Sequence, residues 1–280
     1  MIKIVTDTTC NLPPPWFSRY DLTVIPFTIQ FGLETFREGL DITPETFYNR
    51  IQTEQALPTT SQPAIGDFIN TYQTLGRGGA EIISIHVTSK LSGAWQAAVL
   101  AARQLKNETK VHVLDSLTGS VGLGLMVREG AELTENGLSA VDIVERLEAR
   151  RAQIKVFIML KDLRYARMSG RVGALRESLA SLLKVKPIIG VEQGALVPVD
   201  RVRGHKQGLA RMLALAEAAV GQTPVHLGLT HALAPTEADT LLAQLQDRLN
   251  CRDTFVADLA LSLAVHFGPG TVGFATYPAE

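Results

Sequence analysis

With 280 residues, 46% of them hydrophobic and 20% charged, the chain has enough apolar material for one large or two modest domains. A formal net charge of -1 provides no global field to recruit nucleic acid or anionic lipid, so no nucleic-acid partner is expected. Cys10 and Cys251 are too few and too far apart for a disulfide framework or a zinc site, so no metal and a reducing, cytoplasmic setting are expected.

Residues 1–6 lack a long apolar h-region and read as a first strand over 2–6 that ends at Asp7. No run of roughly 20 uncharged apolar residues occurs, so no integral membrane contact is expected. Residues 22–31 are β-branched and aromatic, and Pro26 places part of them at an edge or bend. Thr43-Pro44 reads as N-cap and N1 of a helix running to about residue 50. A helix over 64–75 is closed by Gly76, Gly78 and Gly79, and a strand follows at 82–87. An Ala-rich helix over 93–105 precedes a strand at 111–114, which ends in Asp115-Ser116. The next helix, 119–135, begins with small residues. The one after it, 139–150, is amphipathic, with Ser139 as N-cap and Asp142 in its first turn.

The second half gives a strand at 156–159, a helix at 172–183 and two apolar runs, 187–191 and 196–202. These runs flank Gln193-Gly194 as a β-hairpin. Helices at 204–220 and 236–249 flank a strand at 225–229, and the last strands are 255–257 and 272–275. Such alternation predicts α/β architecture, with a mostly parallel N-terminal sheet and a mixed C-terminal sheet. A charged joint near 150–154 divides the chain into two α/β domains, 1–152 and 153–280.

Three loops are dense in small hydroxyl residues: Pro58-Thr59-Thr60-Ser61-Gln62-Pro63, Thr88-Ser89-Lys90-Leu91-Ser92-Gly93 and Asp115-Ser116-Leu117-Thr118-Gly119-Ser120. Each lies near a helix start. In open α/β sheets ligands gather at the carboxyl ends of strands, where helix N-termini offer free N–H groups to a carboxylate or phosphate. Thr60, Ser61 and Ser92 fit equally well as helix caps. His266 fits a satisfied structural histidine, or one presented to a ligand by the Gly268-Pro269-Gly270 turn. Asp7 is placed as a catalytic carboxylate would be, but next to Thr8-Thr9 it better suits satisfying loop N–H groups. Arg171, Arg201 and Arg203 fit a solvated surface or a basic rim for a partner. No P-loop, no Gly-x-Ser-x-Gly elbow and no His-Glu-x-x-His is present.

Taken in order, these loops resemble the motifs of the DegV family. Asp7-Thr8 with Asn11-Leu12-Pro13 resembles the family's opening. Thr60-Ser61-Gln62-Pro63, Ser89-x-Leu91-Ser92-Gly93, Asp115-Ser116, Gly170-Arg171-Val172 and His266-x-Gly268-Pro269-Gly270 follow in register. The resemblance implies two α/β domains with a long-chain fatty acid bound between them. It implies a carboxylate held by Thr60, Ser92 and His266, with the Gly93 N–H adding to it, and Ser61 of the same motif is expected among the carboxylate-binding residues.

It further implies a carrier with no catalytic centre of its own and no cofactor beyond the bound lipid. Such a carrier presents the carboxylate to a separate ATP-binding fatty acid kinase subunit, and the acyl phosphate feeds phospholipid synthesis. Thr8, Asn11, Ala94 and Ser169 depart from the family pattern, none of them at the head-group positions. Two other readings remain: a serine-dependent acyl or phosphoryl transferase using Ser92 with His266, and a regulator that senses a small acidic metabolite.

Overall fold

Strand β1 (Ile2–Asp7) is buried from Ile4 to Asp7, as suits a parallel strand covered on both faces. It pairs in parallel with β2 (Thr23–Ile25) and β6 (Glu81–His86), and β7 (Val111–Asp115) completes a four-stranded sheet in the order β2-β1-β6-β7. Helices α3 (Ile65–Gly76) and α4 (Ala94–Gln104) cover one face with Phe68, Tyr72, Ala98 and Ala101. This computed structural model describes residues 1–54, 57–161, 163–170 and 185–279.

The second sheet is mixed, as expected. Its six strands run in the order β10-β9-β8-β13-β11-β12. They are β8 (Lys155–Met159), β9 (Lys186–Glu192), β10 (Ala195–Val202), β11 (Val225–His231), β12 (Cys251–Asp258) and β13 (Val272–Pro278). Every neighbouring pair is antiparallel except β11–β12. β9 and β10 form the expected hairpin, with Gln193 (φ 51°) and Gly194 (φ 82°) at its turn. Helices α8 (His205–Val220) and α9 (Pro235–Arg248) pack on the outer face through Met212, Ala216, Leu241 and Leu245.

Helix α5 (Ser120–Glu135) lies between the sheets and touches β1 and β6 of one and β11 and β13 of the other. It is buried from Ser120 to Ala131, including Arg128 and Glu129, as a helix covered on both sides by sheets is. A Cβ on Gly124 would sit 2.4 Å from the Asn11 carbonyl oxygen, so only glycine allows this approach. Helix α6 (Ala140–Arg150) starts at Ser139, whose hydroxyl accepts the Asp142 N–H. Arg150, at the joint between the two halves, is buried. Its guanidinium pairs with Glu129 at 2.9 Å and stacks 4.6 Å from the Tyr277 ring.

Residues 22–31 do not form one strand. Pro26 has no N–H for a ladder, so pairing stops at Ile25 and resumes at Thr28 in another sheet. That small antiparallel sheet has the order β4-β3-β5, with β3 (Thr28–Phe31), β4 (Glu34–Arg37) and β5 (Thr59–Ser61). Phe31, Phe47 and Tyr48 pack it against helix α2 (Pro44–Glu54). The Thr43 hydroxyl accepts the Thr46 N–H at the start of α2, as its N-cap position predicts.

Three short helices complete the described residues: α1 (Pro14–Arg19), α7 (Arg164–Ser169) and α10 (Leu261–Phe267). No helix among the described residues is long and apolar enough to cross a membrane. The helix expected over 172–183, and Arg171, lie outside the described residues.

Candidate functional site

The three hydroxyl-rich loops and the His266 segment meet at one cavity of about 590 Å³, within the roughly 300–1,000 Å³ typical of small-molecule sites. Thr60, Ser92, Thr118 and His266, one from each segment, all line it. Their residues come from separate turns of chain, and the sheets set their spacing.

Thr60 is the middle residue of β5 and pairs with Ile29 of β3. Side chains alternate along a strand, so Thr60 and Ser61 point to opposite faces. Thr60 is half-buried and lines the cavity, whereas Ser61 is exposed and does not. Neither caps a helix, because the N-cap of α3 is Ala64. Thr60 Oγ1 lies 3.1 Å from His266 Nε2, a contact between residues 206 apart in sequence.

His266 sits in the last turn of α10. Ser262, Leu263, His266 and Phe267 all line the cavity, as the i, i+4 spacing of one helix face requires. Gly268 (φ 79°) ends the helix. A Cβ there would lie 2.3 Å from the Tyr165 ring, so the turn that stops the chain just past His266 needs glycine.

Ser92 and Gly93 stand at the start of α4, where Gly93 is the N-cap and the Ser92 hydroxyl accepts the Ala94 N–H at 3.2 Å. Gly119 and Ser120 bring the start of α5 to the same cavity. Two helix N-termini therefore aim positive dipole ends at one space. Among the described residues lining that space, none is Asp, Glu, Lys or Arg. Val87, Val156, Ile158, Val191 and Leu196 add an apolar stretch of wall, while Thr9, Gln62, Thr88, Ser89, Gln96 and Ser262 add further uncharged polar groups. The lining thus combines uncharged donors with hydrocarbon.

Two buried carboxylates hold this geometry from behind. Asp7 is fully buried and accepts the Thr9 N–H at 3.0 Å and the Val87 N–H at 3.1 Å, satisfying loop N–H groups as expected. Its second oxygen also lies 2.9 Å from His86 Nδ1, while His86 Nε2 lies 2.7 Å from Ser84 Oγ. Glu38, just after β4, is 6% exposed. It accepts the Thr8 hydroxyl at 2.6 Å and the Ser262 N–H of α10 at 3.1 Å. Burial pushes the Glu38 carboxyl above its ordinary range, against the pull of those hydrogen bonds.

Sequence reasoning passed over Glu38 because a Glu between a short strand and a Gly-Leu turn carries no burial signal. The apolar wall residues were likewise indistinguishable from core.

Arg201 and Arg203 are exposed and lie outside the cavity lining. Arg201 lies toward the far end of β10 from the cavity residue Leu196, roughly 17 Å along the strand at about 3.4 Å per residue.

The profile of the DegV family, described as uncharacterised proteins, matches residues 1–279. A DegV domain-containing protein of Halalkalibacterium halodurans is 32% identical over 278 residues, covering 99% of this chain and 98% of the relative. Among solved structures, a DegV family protein from Thermus thermophilus, described as binding fatty acid, superposes with a TM-score of 0.94 at 29% identity, covering 99% of both chains. DegV of Bacillus subtilis, described as a fatty acid binding protein, gives a TM-score of 0.90 at 28% identity over 99% of both chains.

Proposed function

Because this chain belongs to the DegV family along nearly its whole length, we propose that it is a non-catalytic carrier of one long-chain fatty acid, held in the cavity between its two α/β halves. The observation that carries the reading is the Thr60–His266 contact on the wall of a cavity that combines uncharged polar groups with an apolar stretch. The carboxylate of the ligand sits on Thr60, Ser92, His266 and the Gly93 N–H. The acyl chain lies against Val156, Ile158, Val191 and Leu196, each buried methylene contributing roughly 0.8 kcal/mol. Fatty acid binding by the Thermus thermophilus and Bacillus subtilis relatives supports this choice of ligand.

Hydrogen bonds from neutral donors stabilise the carboxylate without an ion pair to occupy its oxygens. That leaves a head group which a separate ATP-binding kinase subunit can phosphorylate, in the cytoplasm, for phospholipid synthesis. Arg201 and Arg203, together with Arg171, are assigned to docking that subunit. Charge reversal at Arg201 and Arg203 should slow acyl phosphate formation with lipid content unchanged. We divide the chain into its two domains at residues 152/153, beside the Arg150–Glu129 pair.

Denaturing extraction of the purified protein followed by lipid mass spectrometry tests the reading. One fatty acid per chain, released without covalent chemistry, is the expected result. An acyl or phosphoryl adduct on Ser92 would establish the transferase instead. A short polar acid in place of lipid would establish the metabolite sensor.

A further inference from the structure

A second cavity, of about 570 Å³, adjoins the first, and among the described residues the two share only Thr118, Val156 and Val191. None of the three belongs to the segments that carry Thr60, Ser92 or His266. We propose that Val156 and Val191 form the end wall of the acyl site and set the longest chain that it accepts. This inference rests on the fatty acid reading above.

The ladder places the two valines side by side. Phe157 of β8 pairs with Gly190 of β9, so Val156 and Val191 are next neighbours along the same antiparallel pair. Val156 is 4% exposed and Val191 is half-buried. Thr118 is anchored: its carbonyl accepts the Thr88 N–H at 2.8 Å, and its own N–H donates to Ser116 Oγ at 3.2 Å. Its side chain also fills the space beside Gly122. The valines are therefore the part of the wall that can be resized without disturbing the loop.

The part of the space next to the valines can take a methyl terminus. Leu117, Ile154, Phe157 and Val199 supply apolar surface beside the valines, while Glu148 and Arg151, which pair with each other at 2.8 Å, and Lys155, Glu192 and Gln193 make the rest of its rim polar. Trimming either valine opens the acyl site into that space. Each further methylene that finds room there should raise retention about fourfold, the transfer gain of one buried CH2.

The test loads the full-length protein with an equimolar excess of saturated acids from 14 to 20 carbons and reads the retained set by denaturing extraction and mass spectrometry. In Val156→Ala and Val191→Ala, the ratio of 20-carbon to 16-carbon acid should rise at least fourfold over the unsubstituted chain. In Val191→Phe it should fall. Unchanged ratios in folded variants at full lipid occupancy overturn the wall. An unsubstituted chain that retains no acid at all removes the fatty acid reading, and the wall with it.

Should the alanine variants fail to fold, hexadecanoic acid with a terminal diazirine reports on the unsubstituted protein. Photolabelling should fall on peptides that contain Val156 or Val191, and labelling confined to α4 or α10 overturns the assignment.

Discussion

Among the described residues two histidines meet a hydroxyl, one sealed in the interior and one on the wall of a cavity. His86 lies 2.7 Å from Ser84 Oγ and 2.9 Å from Asp7, the connectivity of an acyl-transfer triad. Yet all three residues are 0% exposed, and the Ser84 hydroxyl is already engaged by Tyr72 at 2.8 Å. His266 meets Thr60 at 3.1 Å on the wall of a cavity where no carboxylate lines the described surface. Triad spacing without access for a substrate serves the fold. A histidine and a hydroxyl that meet on a cavity wall are placed to touch a ligand.

The sealed set should prove the more costly to break. Asp7→Ala leaves His86 and the Thr9 and Val87 N–H groups without their acceptor, and removal of one member of a buried charged network typically costs about 3–5 kcal/mol. Urea unfolding should show a loss of that order. A loss below about 1 kcal/mol would mean the His86 set is not what orders the β1 and β6 loops.

The open set should instead lose ligand. His266→Ala removes one donor to a charged group, worth about 1.5–3 kcal/mol, or roughly a 10- to 100-fold rise in Kd for a fatty acid. Titration of delipidated protein measures it. If unfolding free energy falls as far as it does in Asp7→Ala, the two histidines do the same job.

The contrast also explains what the sequence made legible. Loop chemistry was readable: small hydroxyl residues after β6 and β7 are local signals, and Thr88, Ser89, Ser92, Thr118 and Ser120 among them line the cavity, as does His266 just before the Gly-Pro-Gly turn. The two sheets were readable because strand and helix periods alternate. The small sheet was not, since β4 and β5 are only four and three residues long and their pairing with β3 is set by tertiary contacts. Thr60 was consequently read as a loop residue rather than a strand residue. The same blindness hid Glu38, whose burial exists only because α10 arrives 224 residues later in the chain.

Two carboxylates extend the comparison to pH. Burial raises Glu38 above its ordinary value of 4.5, so the folded state binds its proton more tightly than the unfolded chain does. Its contribution to stability is complete below that value and is lost as pH rises through the higher folded one. Asp253 goes the other way. Burial pushes it up, but hydrogen bonds from His226 and Arg128 outweigh burial and hold it at about 2. Its contribution is present above its ordinary value of 3.8 and is lost as pH falls toward about 2. Glu38→Gln should therefore flatten the stability profile above pH 4.5, and Asp253→Asn should flatten it between pH 3.8 and about 2. Thermal midpoints across both windows measure this. A Glu38→Gln profile that still declines above pH 4.5 would assign that slope to another group.

The smallest expected effect is the most specific to the site. Thr60 and Ser61 are adjacent members of one motif, and by sequence alone either hydroxyl can reach a ligand. The pairing of Ile29 with Thr60 and of Thr28 with Ser61 decides between them. Ile29 is fully buried, and residues directly paired across a ladder share a face, so Thr60 turns inward and Ser61 outward. Thr60→Ala should weaken fatty acid binding by one hydrogen bond to a carboxylate, about 1.5–3 kcal/mol. Ser61→Ala should change it by less than about 0.5 kcal/mol, as exposed substitutions do. Equal losses would mean that β5 shifts by one residue when the ligand binds, since in a strand that short a single step exchanges which hydroxyl the cavity sees.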